Sequence, residues 1–379
     1  MQRRKFIKLA GSGAIVYAAQ LNMPVWGSEA DTNIEGPYQP WHRAGTDYTD
    51  PRLRALSFAI LAPSPHNRQP WIVRLLGEDS LEISCDLERR LPATDPFDRQ
   101  ITIGFGCFLE LLRLAAAEDG FALEVEHFPT GEPQPRLNKA PVARVSFRSG
   151  ASSDPMFQQI RHRRSTKEAF ASELITRRDR DGLSGVSSLA AFTSDPDIVS
   201  QIRRLTVDAF IAETRTPTAL MESIELMRIG DPAIAANPDG IDLAGPQFTR
   251  LNAAGILTQE TMADIESPMF DANLKAQLDV LNATSNYLWL VTPNNTREDQ
   301  LRAGRDYVRL NLAATAFGLV MHPVSQALQE YAQVGQYYDE LHDMLGVASP
   351  KRIQMLARIG KGPKVEPSPR WPLTTRIEA

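Results

Sequence analysis

Cysteine is almost absent from this chain of 379 residues, with Cys85 and Cys107 the only two. Two thiols cannot build a disulfide framework, and theirs is not the spacing of metal ligands. A single Cys85–Cys107 bridge and a pair of buried free thiols both stay open. There is no Gly-x-Ser-x-Gly elbow and no His-Glu-x-x-His pair among the six histidines, which sets aside the usual serine-hydrolase and zinc-peptidase arrangements. No basic tract of nucleic-acid-binding length occurs and the net charge is −5, so DNA or RNA is an unfavourable partner. What is present is a globular composition, 42% hydrophobic and 23% charged, ample for a full core in one large domain or two to three ordinary ones.

The N-terminus reads as an address. Met1-Gln2-Arg3-Arg4-Lys5-Phe6-Ile7-Lys8 precedes a modest apolar run at 9–19, and Ser28-Glu29-Ala30 offers small residues for cleavage. Paired arginines before such a run mark a twin-arginine export signal over 1–30, predicting a periplasmic or otherwise exported protein carried by that machinery. The run is too short and too rich in Gly and Ser for a stable membrane span.

Beyond it, residues 31–50 read as irregular. Asp50 and Pro51 supply an N-cap and a first helical residue, and Pro63 forbids continuation, so a helix is predicted over 51–61. Strands at 71–76 and 81–85 flank Gly77-Glu78-Asp79-Ser80 as a hairpin. A buried helix over 101–119 is closed by Gly120, and strands follow at 121–128 and 142–147. The stretch Ser149-Gly150-Ala151-Ser152-Ser153-Asp154-Pro155 divides a first unit, 31–150, from a second, 151–379. The second unit predicts helices at 177–183, 196–213 and 297–317 and strands at 189–193, 287–291 and 354–359. Its 214–275 segment, rich in Met and Pro and short of strand patterning, reads as a lid-like insert. The class is α+β.

The two longest helical patterns superpose. Gly106, Leu114-Ala115-Ala116 and Gly120-Phe121 fall on Gly304, Leu312-Ala313-Ala314 and Gly318-Leu319 at a constant offset of 198. Small residues at matching places suit two halves that share one seam.

Two stretches carry chemistry. In Ala62-Pro63-Ser64-Pro65-His66-Asn67-Arg68-Gln69-Pro70-Trp71, prolines stiffen a loop whose Asn67 and Gln69 amides donate and accept together, as reading a heterocycle edge requires. Arg163, Ser165 and Lys167 alternate where the chain is expected to enter a helix, offering a guanidinium fork, a hydroxyl and an ammonium to a phosphate. By composition alone the same residues are a solvated basic cluster.

Arg163-Arg164-Ser165-Thr166-Lys167-Glu168-Ala169-Phe170 resembles the FMN-phosphate motif of the nitroreductase family. Pro63-Ser64-Pro65-His66-Asn67-Arg68-Gln69-Pro70-Trp71 resembles that family's second motif, in which a neighbouring subunit's loop closes over the flavin. The helix through Leu312-Ala313-Ala314 resembles its central dimer helix, and Pro369-Arg370-Trp371-Pro372-Leu373 its C-terminal tail. The two motifs stand here in reversed order, one in each half. This is most similar to the fused Acg-type FMN-binding subgroup, in which one chain imitates the homodimer. The resemblance implies a nitroreductase-like α+β fold of two tandem half-repeats, antiparallel-rich sheets packed around a central helix pair, and one FMN per chain. It assigns Arg163, Ser165, Lys167 and Arg370 to the phosphate and ribityl end, and Ser64, Asn67 and Gln69 to the ring or ribityl. Ser325 and Gln326 fall where ordinary members place a Glu-Gly pair near flavin N5. The implied activity is flavin-mediated reduction of a small nitro or quinone acceptor, with a non-nicotinamide donor such as a quinol or partner protein if the chain is exported. The other readings are FMN storage with little reductase activity and a scaffold that has lost flavin altogether.

Overall fold

The computed structural model describes residues 36–378, so the predicted signal segment lies outside the described residues. A short helix, α1 (Gln39–Arg43), stands where an irregular stretch was expected, and it buries Trp41. Helix α2 (Pro51–Ala59) starts as predicted, its cap the Asp50 side chain accepting from Arg52 N at 2.8 Å. The hairpin β1 (Trp71–Leu76) and β2 (Ser80–Cys85) pairs Trp71 with Cys85. Helix α3 (Arg99–Glu118) follows, then β3 (Phe121–His127) and β4 (Pro141–Ser149).

After residue 150 come α4 (Arg177–Ser184), β5 (Ala190–Thr193) and α5 (Pro196–Arg215). The insert is more ordered than its composition suggested. It holds α6 (Pro217–Glu225), β6 (Met227–Ile229), α7 (Asp231–Ala236), β7 (Ile241–Leu243), α8 (Pro246–Ala253) and α9 (Gln259–Ala263). Its β6 and β7 form a small parallel sheet over a separate apolar cluster of Ile224, Ile229, Leu257 and Met262, a correction to the expectation of a segment short of strands. Strands of three residues carry too little alternation to be seen in sequence. Then come α10 (Pro268–Asn282), β8 (Tyr287–Thr292), α11 (Arg297–Ala316), β9 (Val320–Pro323), α12 (Gly335–Met344), β10 (Arg352–Gly360) and β11 (Ile377–Glu378).

The architecture is α+β with two antiparallel-rich sheets. One runs β11-β1-β2-β4-β3 and the other β5-β8-β10-β9. In each, the first two strands precede a long helix and the last two follow it, and the spatial order is first, second, fourth, third. Within these two sheets β11 has no counterpart; it pairs parallel with β1, so residues 377–378 complete the sheet of β1 to β4. The long helices α3 and α11 pack on one another between the sheets. Helix α3 is long and apolar enough to cross a membrane, yet 89% of that stretch is buried in protein, as a core helix should be. At the crossing, Gly106 faces Gly304: a Cβ on Gly106 would lie 2.1 Å from Leu301 O, and one on Gly304 only 1.9 Å from Ile103 O. Cys107 Sγ donates to Gly304 O at 3.1 Å in the same seam. Cys85 and Cys107 are both buried and free, which resolves the open alternative, and burial pushes the Cys107 thiol up to about 12.

Candidate functional site

The Pro-rich loop lies where α2 ends. Ser64 Oγ accepts from Gln69 N at 3.0 Å, and His66, Asn67 and Gln69 all adopt positive φ, 45°, 50° and 50°. Three side-chain-bearing residues of this kind within four positions mark a backbone held by its surroundings. Those surroundings are the C-terminal tail. Asn67 Oδ1 accepts from Arg370 Nη1 at 2.7 Å, and Asn67 Nδ2 donates to Pro369 O at 3.0 Å. Gln69 Oε1 accepts from Trp371 N at 2.9 Å, while its Nε2 donates to Pro238 O at 2.8 Å. Both amides are therefore committed to fixing the loop, the tail and the insert together.

Arg370, too, is fully engaged. Its Nε donates to Ile60 O, its Nη2 to Leu61 O and Ala62 O, at 3.1, 3.2 and 3.2 Å. These carbonyls follow α2, so the guanidinium satisfies a helix end at long range. Arg163 differs. Its Nη2 donates to Leu61 O at 3.0 Å, but its buried Nε and Nη1 have no partner. Arg163, Arg164 and Arg370 gather around the Trp41 ring, their guanidinium carbons 5.7, 4.7 and 5.1 Å from its centroid. Burial lowers all three, Arg164 to about 10 and Arg370 to about 9, with Arg163 adding to the effect on both.

Lys167 is exposed and Ser165 half-buried, so the Arg163-Ser165-Lys167 row runs from core to surface. The expected helix start after Lys167 does not form. Thr166 N donates to Met321 O and Ala171 N to Lys361 O, both at 2.9 Å, so the chain is spent on the flank of β9 and β10 and the next helix is α4. The Lys167 charge is felt by two histidines. Burial, then Lys167, lowers His66 to about 4 and, together with Arg358, holds His322 well below its ordinary value. His322 Nδ1 accepts from Arg358 Nη1 at 3.0 Å, which leaves the ring proton on Nε2. Ser325 and Gln326 lie just beyond, at the start of a single 3₁₀ turn.

Two further contacts bind the insert to this region. Asp239, 4% exposed, takes Arg68 at 3.2 Å, Arg89 at 2.7 Å and Arg228 at 2.9 Å. Glu222 accepts from Ala93 N, Thr94 N and Thr94 Oγ1 at 2.8, 3.0 and 2.6 Å. Sequence reasoning named neither acid, nor Trp41. A tryptophan between Pro40 and two basic residues was the only local signal of Trp41; the acids look like any others until the fold brings their partners near. Among the described residues no His, Cys, Asp or Glu cluster could hold a metal ion.

The chain is similar, over most of its length, to nitroreductase-like proteins of the Acg group. A candidate NAD(P)H nitroreductase, acg, of Mycobacterium tuberculosis strain H37Rv is 28% identical over 347 residues, covering 86% of this chain and 93% of the relative. A second candidate NAD(P)H nitroreductase of that strain is 26% identical over 340 residues, 85% and 90% of the two chains. Among solved structures, a candidate nitroreductase from Anabaena variabilis ATCC 29413 is 11% identical with a TM-score of 0.46, covering 91% of this chain and 95% of its own. No family model matches the chain.

Proposed function

We propose that this chain is an FMN-binding oxidoreductase of nitroreductase type, a single-chain counterpart of a two-subunit enzyme that holds one flavin. The observation that carries it is Arg163, a buried cation with two unpartnered donors and, among the described residues, no salt bridge to a carboxylate. Such a group is costly in an apolar interior unless an anion completes it. The donor set fits a phosphate: the Arg163 fork, the Ser165 hydroxyl and the Lys167 ammonium offer charge-assisted and neutral bonds in one row. Arg370, Asn67 and Gln69 serve this reading indirectly, by fixing the loop that carries Ser64 and His66. Bound flavin would supply the electron transfer, while the protein orients it, excludes water and tunes its electronics. Paired strand orders in the two sheets and the Gly106–Gly304 contact support the single-chain-dimer reading.

The acceptor is a small nitro or quinone compound. NAD(P)H is the donor in the relatives' names, whereas an exported chain would draw on a quinol or a partner protein. Purified protein should release close to one FMN per chain. Its bound flavin should bleach with NADH, NADPH or a quinol and recolour with a nitroaromatic or quinone. Colourless protein that takes up no FMN would sink the reading, and flavin that no donor bleaches would favour storage. The insert tied to the Pro-rich loop by Gln69 and Asp239 is the feature that suits storage. We also propose export by the twin-arginine route on the strength of residues 1–30. Arg3→Lys with Arg4→Lys should then retain the protein in the cytoplasm, and unchanged fractionation would refute it.

A further inference from the structure

The ion pairs at Asp239 belong to a larger network in which cations outnumber acids. From Asp239 it passes to Arg68, Arg228 and Arg89; Arg89 Nε then reaches Asp86 Oδ2 at 3.1 Å, and the same oxygen lies 3.6 Å from Arg376 Nη1. Four guanidiniums thus share two carboxylates, and none of the four side chains is more than 15% exposed. They come from four places in the chain: the Pro-rich loop, the 3₁₀ turn Leu87–Arg89, strand β6 of the insert, and the turn Leu373–Arg376 ahead of β11. Arg89 and Arg376 both face the Trp371 ring, 5.4 and 5.7 Å from its centroid. Three buried atoms of this group have no hydrogen-bond partner: Arg228 Nε, Arg376 Nη1 and Trp371 Nε1. All three are donors. For Arg376 Nη1, the separation from Asp86 is too long for a hydrogen bond. Burial lowers Arg68 and Arg376, and Arg89 adds to the effect on both. The network is not sealed, since Asp86 is 22% exposed.

We propose that this network is a binding site for a phosphate-type oxyanion, with donors distinct from those of the Arg163 row. Two observations converge on a doubly charged acceptor. Among the described residues, four guanidiniums against two carboxylates leave the network two positive charges in surplus. Its unfilled hydrogen bonds, moreover, all lack an acceptor. A largely buried surplus of cations is costly until an anion completes it. Phosphate or a phosphate monoester brings about two negative charges near neutral pH and several acceptor oxygens, which arginine forks match in geometry. A single carboxylate cancels only half of the surplus. Because the arginines belong to the loop, the insert and the tail, an anion among them holds all three together. Nothing in the network depends on the flavin reading.

Inorganic phosphate is titrated into the purified protein at constant ionic strength, with sodium chloride making up the balance, and Tm and calorimetric affinity are read. Phosphate should raise Tm where chloride does not. Arg228→Met and Arg376→Met should each weaken phosphate binding about tenfold, the worth of one charge-assisted hydrogen bond. Asp86→Asn should do the reverse and tighten it severalfold, because the surplus grows while an Asn side chain can still accept from Glu88 N, as Asp86 does at 3.2 Å. Opposite signs on removing a base and an acid are not what a merely structural cluster gives. Arg163→Met should leave the phosphate response intact. The ligand's source is read with 5′-AMP: competition with phosphate at higher affinity assigns the site to an ester, and phosphate binding without competition assigns it to the free ion. A Tm that responds to phosphate no more than to chloride overturns the proposal, as does a response unchanged in both arginine variants. A response lost in Arg163→Met also overturns it, since the anion then occupies the site already described and the flavin reading stands. Should neither arginine variant fold, Asp86→Asn decides, and affinity unchanged or weakened there overturns the site.

Discussion

Gly304→Ala should cost about 3 kcal/mol or more, or prevent folding, although alanine is the better helix former. The new methyl would have to occupy space 1.9 Å from Ile103 O, 2.9 Å from Ile103 C and 3.0 Å from Cys107 N. All three are backbone of the facing helix, so nothing flexible can move aside and α3 must separate from α11. That separation loosens the core around both helices, where Phe105, Phe108, Leu310 and Leu312 are fully buried. Gly106→Ala should behave alike, since its Cβ would meet Leu301 O at 2.1 Å. Gly104→Ala is the control on the same helix, because its nearest neighbours lie at 3.5 to 3.6 Å, ordinary van der Waals contact. It should be neutral or stabilising by up to about 1 kcal/mol. Urea unfolding of the three variants decides this; a Gly304→Ala protein as stable as Gly104→Ala would show that the seam is not tight.

That a seam joins these helices was legible from their matching small residues, but the sequence reading placed the close approach at Ala115-Ala116 and Ala313-Ala314, whereas the tightest contact falls at Gly106 and Gly304. The helix ends at Asp50-Pro51 and Gly120 were legible because each residue there answers a local backbone need that only a few side chains meet. What escaped was set by distance in sequence. The β9 strand is four residues long and gains its place from register against β10, with Met321 opposite Ile359. The segment after Lys167 has helix-forming residues, yet Phe170 is buried against Gly360 and Gly362, and tertiary packing overrides the local preference. Asn67 and Gln69 were recognised as important amides, but nothing local showed that the tail three hundred residues later bonds to them. A residue's chemistry is visible in sequence; which partner takes it up is not.

Arg163 and Arg370 turn that distinction into opposite outcomes. Both are arginines assigned by resemblance to one phosphate, both are 2% exposed, and both face Trp41. Yet Arg370 has its donors on the carbonyls of Ile60, Leu61 and Ala62 and on Asn67, whereas Arg163 keeps two donors unpaired. Replacing Arg370 by Met strips partners from several buried acceptors, at about 1–3 kcal/mol each, so flavin-free protein should lose 3 kcal/mol or more. Replacing Arg163 by Met removes an uncompensated buried charge at the loss of one bond to Leu61 O. Flavin-free Arg163→Met should therefore be as stable as wild type or more so, by about 1–2 kcal/mol. Its affinity for FMN should nevertheless fall on the order of a hundredfold, the worth of one or two charge-assisted hydrogen bonds. Urea unfolding of flavin-free protein and quenching of FMN fluorescence measure the two effects separately. Stability and affinity moving in opposite directions is the signature of a cation kept for a ligand. If Arg163→Met instead lost stability as Arg370→Met does and bound FMN unchanged, Arg163 would be one more tie between the halves, and the phosphate would have to be held elsewhere.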